Sequence, residues 1–142
     1  MSLQKNLDII HGAAYSHENY KHHIDKFIGG IKRAAGNERI AEYLQVSEEA
    51  HNLIEIAFLG RKYRITSDLY TRPPSEAVTI SFGMVSPSED YVPEKVTMLN
   101  EVQMNSNGMF SDGHDDSELM SSADSNQVAT TLVSWLAGAC NA

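Results

Sequence analysis

The stretch Asn52–Leu69, NLIEIAFLGRKYRITSDL, restricts the possible folds more than any other part of the chain. Ile54, Ile56 and Phe58 alternate with Glu55 and Ala57, and Tyr63 and Ile65 alternate with Arg64 and Thr66. Alternation of β-branched and aromatic residues with polar ones is the pattern of a half-buried strand. Gly60-Arg61 supplies a two-residue turn of the II′ kind, because glycine takes positive φ without a steric penalty. That turn pairs Phe58 with Tyr63 and Ile56 with Ile65, so the apolar residues of both strands share a face. A slip of one residue would turn Tyr63 and Ile65 to the wrong side.

Two further strands follow. Ala77 to Val85 puts Val78, Ile80, Phe82 and Met84 on one face and Thr79, Ser81 and Gly83 on the other. Lys95 to Met104 puts Val96, Met98, Val102 and Met104 together, at the cost of carrying Asn100 inward. Met109-Phe110 starts a short fifth strand or anchors a loop. Thr71 to Ser75, with Pro73-Pro74, and Ser86 to Pro93 are loops, since proline continues neither a ladder nor a helix.

Helices flank this sheet. Residues 3–46 predict more than one helix. Leu3, Leu7 and Ile10 lie at helical spacing, Ser16 is placed to cap a second helix, and Tyr20, Ile24, Phe27, Ile28, Ile31 and Ala35 form its apolar face. Gly29-Gly30 marks a kink or a close approach by another element. Gly36 stops the helix, and Asn37 caps a short one through Ile40, Ala41 and Leu44. At the other end, Asn126 to Cys140 carries Val128, Leu132, Trp135, Leu136 and Ala139 on one face, with Ser125 as N-cap. The expectation is a single α+β domain over residues 1–142. Its parts are N-terminal helices (1–46), an antiparallel meander of four to five strands (52–110), and a closing helix (125–140) in a two-layer sandwich.

Composition bounds function. With 42% hydrophobic and 21% charged residues, the 142-residue chain is ordinary globular material. Its single cysteine, Cys140, and the lack of a long apolar run point to a cytoplasmic protein with no membrane association. The net charge of −8 is uneven. Residues 1–72 hold ten Lys or Arg against nine acids, and residues 73–142 hold Lys95 against ten acids. An acidic half disfavours nucleic acid, whose phosphates reward clustered cations. The basic groups Lys21, Lys26, Lys32, Arg33 and Arg39, and Arg61, Lys62 and Arg64 at the hairpin tip, read as solvated charge.

Four constellations bear on chemistry. Asp112, His114 and Asp116, within an acidic run, have the donor types for a divalent cation, although the spacing is not that of an EF-hand. A solvated acidic loop is the plainer reading. His11, His17, His22, His23 and His51 include no i, i+4 pair of the kind that holds zinc. Nucleophile elbows and phosphate-binding glycine loops are absent, and Cys140 lies at a helix C-terminus that disfavours a thiolate. The outward sheet face carries Glu55, Arg61, Lys62, Arg64, Thr79 and Ser81, and small residues there admit a partner's backbone.

The residues therefore predict a small interaction or adaptor module without catalytic activity and without a cofactor, meeting a protein partner or a second copy through the sheet face. The alternative is a small-molecule- or divalent-metal-binding protein, an enzyme among the options. Its pocket would lie between sheet and helices and be lined by Tyr63, Tyr91, Met84, Met98, Met104 and Trp135.

Overall fold

In the computed structural model, which describes residues 2–50, 52–68, 77–111 and 119–141, the N-terminal region is one helix rather than several. Helix α1 runs from Leu3 to Ala35. The Ser2 hydroxyl caps it by accepting from the Lys5 N–H at 3.2 Å, and Lys32 and Arg33 in the last turn complement its dipole. Ser16 is interior to this helix, because nothing nearby breaks the ladder it would have had to restart. Gly36 ends it as predicted. Asn37 then caps only a turn, its side chain accepting from the Arg39 N–H at 2.9 Å, and Leu44 passes into a strand instead of a helix.

The sheet corrects the expected four- to five-strand sandwich. Among the described residues it has seven antiparallel strands in sequence order, curled into a half-barrel. They are β1 (Leu44–Ala50), β2 (Leu53–Phe58), β3 (Arg61–Asp68), β4 (Val78–Ser86), β5 (Lys95–Met104), β6 (Met109–Ser111) and β7 (Met120–Ser121). Strand β1 falls where the sequence reads as a lead-in to the hairpin. Its Leu44 and Val46 pair with Phe58 and Ile56, whereas Glu48-Glu49 obscures the alternation.

The hairpin exists, but its turn is Leu59-Gly60. Both residues have positive φ, 52° and 77°, which is a type I′ turn. Ile56 pairs with Tyr63 and Ile54 with Ile65, two residues away from the predicted register. An even shift leaves every side chain on its predicted face. Strand β5 departs differently. The pairing steps from Phe82↔Asn100 to Gly83↔Met98, so Leu99 is an extra residue on β5. This bulge turns Val96 and Met98 out of the core and leaves them 44% and 60% exposed. Asn100 is exposed as well, while Val102 and Met104 are fully buried.

Helix α1 and helix α2 (Ser125–Cys140) cover the concave face. Asp124 is the α2 N-cap, one residue before the expected Ser125, and accepts from the Asn126 and Gln127 N–H groups. Trp135 stacks on Phe82 with centroids 5.3 Å apart, and Phe82 stacks on Tyr63 at 5.2 Å. Phe27 meets Phe110 edge to face. Of the two adjacent glycines, Gly30 is the close approach. A Cβ there would lie 2.6 Å from Val128 Cβ, whereas one at Gly29 would meet nothing within 4 Å.

Candidate functional site

On the convex face, Glu55, Lys62 and Arg64 come together and satisfy one another. Arg64 lies opposite Glu55 across β2 and β3. Its guanidinium donates to Glu55 at 2.8 Å and to Glu94 at 2.6 Å, and Lys62 reaches Glu55 at 3.2 Å. The hydrogen bond from Arg64 holds the Glu55 carboxyl below its usual range, and the same bond raises the Arg64 pKa. Thr79 exchanges hydrogen bonds with Gln103. Thr79 and Ser81 line an open polar groove of about 530 Å³ with Asn52, Thr66, Asp68 and Glu101. Arg61 stands exposed at the hairpin tip.

Two members of the N-terminal basic patch are likewise engaged. Lys32 pairs with Glu48 at 2.5 Å, and Arg33 donates to the Ser125 hydroxyl at 2.7 Å. The proposed cation ligands Asp112, His114 and Asp116 lie outside the described residues. Among the described residues, no group of three or more His, Cys, Asp or Glu is placed to hold a metal. The residues offered as a pocket lining diverge. Tyr63, Met104 and Trp135 are core, whereas Tyr91 and Met98 are exposed.

Among the described residues, the first half of α1 stands uncovered. Leu3, Leu7, Ile9 and Ile10 are 75%, 40%, 58% and 60% exposed, and the first buried residue of the helix is Tyr20. Residues 3–19 thus form an arm of about 25 Å at 1.5 Å per residue. Its root is anchored. Asn19 donates to the Ser106 carbonyl at 2.9 Å. His23 lies against Gly108, whose φ is 76° and where a Cβ would stand 2.4 Å from Nδ1. Burial lowers the His23 pKa, partly offset by its hydrogen bond to the Ser106 backbone, with Lys26 and His22 lowering it further. Asn105, through its side-chain oxygen, orders this turn by accepting from the Asn107 and Met109 N–H groups.

Helical spacing of Leu3, Leu7 and Ile10 is plain in the sequence, but not that it lies beyond the domain. The available signal is length, since an unbroken pattern over 33 residues outruns the 16-residue α2. Comparison with protein-family models, curated proteins and solved structures finds no match for this chain. The fold and this arm therefore carry the functional argument. Among the described residues, no helix is long and apolar enough to cross a membrane.

Proposed function

We propose that this chain is a cytoplasmic protein-interaction or adaptor module whose contact element is the α1 arm. One observation carries the reading: an apolar stripe, Leu3, Leu7 and Ile10, stands exposed on a helix that runs unbroken into the core. Most helical stability in proteins comes from packing of an amphipathic face, and in the arm that face is left open. Helix-to-helix or helix-in-groove docking uses this i, i+4, i+7 set of anchors. The convex-face ion pairs fit a supporting role better than a contact role, because their charges are already matched within the chain.

A second reading keeps contact at the sheet, where the β5 bulge exposes Val96 and Met98, with Leu99 exposed next to them in the strand. Exposed apolar groups along one strand suit a partner surface.

Photo-cross-linking inside cells distinguishes the two. A benzophenone side chain at position 10 yields a discrete protein adduct if the arm is the contact, and one at position 98 if strand β5 is. Position 130, on the exposed face of α2, gives none. No discrete adduct from either site would overturn the interaction reading.

A further inference from the structure

We infer that the cleft between the hairpin tip and the last turn of α2 binds a small carboxylate with an apolar body, an aryl- or short alkyl-carboxylic acid. Phe58, Leu59, Arg61 and Tyr63 meet Ala139 and Cys140 there around a space of about 280 Å³. Small-molecule sites usually enclose about 300–1,000 Å³, so this cleft suits an occupant at the small end of that range. None of its residues belongs to the arm, and the site stands whether or not the arm is a contact element.

Strand alternation builds the cleft. Lys62 and Arg64 face the convex side, where Glu55 and Glu94 hold them. Arg61 and Tyr63 take the other side of β3, and Arg61 stands opposite Phe58 across the hairpin. Tyr63 is 2% exposed, its ring stacked on Phe82 at 5.2 Å, yet it lines the cleft. Among the described residues nothing hydrogen-bonds to its hydroxyl. A phenol held this deeply normally has a partner, and its open side is the cleft.

Charge selects the occupant. Arg61 is the one lining side chain with a fixed charge, and among the described residues no carboxylate pairs with it. The helix end contributes the opposite sign. No basic residue lies in the last turn of α2, so its dipole places about half a negative charge there. The full charge of Arg61 outweighs it, and the cleft is net positive in a chain of net charge −8. The groove beside Thr79 and Ser81 is the reverse, lined by Asp68 and Glu101 with no cation. Phosphate fits the cleft poorly, because a helix holds it with the N–H groups of its N-terminus, whereas α2 brings its carbonyl end. A carboxylate accepts from both Arg61 and Tyr63, while an apolar body covers Phe58, Leu59 and Ala139.

Titration of the full chain with 3-phenylpropionate, followed through amide NMR shifts, tests the inference. The expected result is saturable shifts at residues 58–63 and 138–141 with a Kd of about 1 mM. The bound acid also slows the reaction of the exposed Cys140 with a thiol reagent. The neutral 3-phenylpropionamide binds about fivefold more weakly, and Arg61→Gln abolishes that preference. Tyr63→Phe weakens the acid about fivefold and leaves the melting temperature unchanged, since the hydroxyl has no internal partner to lose. Absence of saturable shifts at these residues up to about 30 mM, well above that Kd, with both 3-phenylpropionate and hexanoate, overturns the proposal. Equal affinity for 3-phenylpropylamine refutes the choice of a carboxylate, and full affinity in Tyr63→Phe refutes the part given to the hydroxyl.

Discussion

The two halves of α1 share one helix and one apolar periodicity, yet they live in different surroundings. From Tyr20 to Ala34 the stripe is buried, with Ile31 fully enclosed and Phe27 1% exposed. From Leu3 to Tyr15 every residue is exposed. Periodicity states that a helix has an apolar side. What covers that side depends on how far the rest of the fold extends, and here the sheet and α2 reach only the second half.

The largest effect that would sharpen this contrast comes from truncation on each half. Ile31→Ala is expected to cost about 2–5 kcal/mol, the range for a buried aliphatic residue that leaves a cavity. Leu7→Ala is expected to stay within about 0.5 kcal/mol. Urea unfolding measures both, and equal costs would break the comparison.

Glycines give a second test, because the same change meets different neighbours. Gly30→Ala drives a methyl into Val128 and is expected to destabilise by about 1–3 kcal/mol. Gly29→Ala, one residue away and facing open space, is expected to stabilise by up to about 1 kcal/mol through helix propensity. Gly12→Ala in the arm also meets nothing and raises helicity in far-ultraviolet dichroism without moving the unfolding midpoint of the core. A loss of stability at Gly12→Ala would show that the arm is packed.

Hydrogen exchange separates the halves without mutation. Amides of residues 24–34 should exchange through global opening, and those of residues 6–16 about a hundredfold faster or more, by local fraying. Equal protection in dilute solution would contradict an uncovered arm.

The smallest effect lies at the junction. The His23 pKa is lowered in the folded chain, so the folded state takes up its proton less readily than the unfolded chain. Stability is then full above the unfolded value near 6.5 and declines as pH falls through it toward the folded pKa. The melting temperature should drop modestly between about pH 7.5 and about pH 5.5, and less so in His23→Gln. Glu55, whose pKa is also lowered, acts at lower pH, its contribution being lost as pH falls below its unfolded value of 4.5.

The hairpin shows how much of the fold was readable. Alternation places Ile54, Ile56, Tyr63 and Ile65 in the core, and all four are buried, although the turn falls one residue earlier than expected. The chain placed Leu59 at positive φ, a conformation the sequence gives no reason to expect of leucine, and the register moved by two, which strand geometry forgives. Strand β5 was not forgiven, because Leu99 adds one residue and reverses the faces of Val96 and Met98. Strands β1 and β7 are edge elements with little apolar patterning, and no local rule distinguishes them from loops. For the candidate site, the common outward face of Glu55, Lys62 and Arg64 was legible from strand alternation, but the expected register set Glu55 opposite Thr66, and only the observed one sets it opposite Arg64. The participation of Glu94 was not legible, since a loop residue 30 positions from Arg64 meets it only after the sheet curls.

The sequence by itself determined which residues are apolar at which period, and with that the helix faces, most strand faces and the stop at Gly36. These are local properties, set within a few residues by side-chain direction and backbone sterics. Tertiary structure alone decided the seven-strand curl, the bulge at Leu99, the Gly30–Val128 contact and the bare first half of α1. Each of those depends on which distant surfaces meet. A side chain's period is written in its neighbours along the chain, whereas its cover comes from elements folded over it from elsewhere.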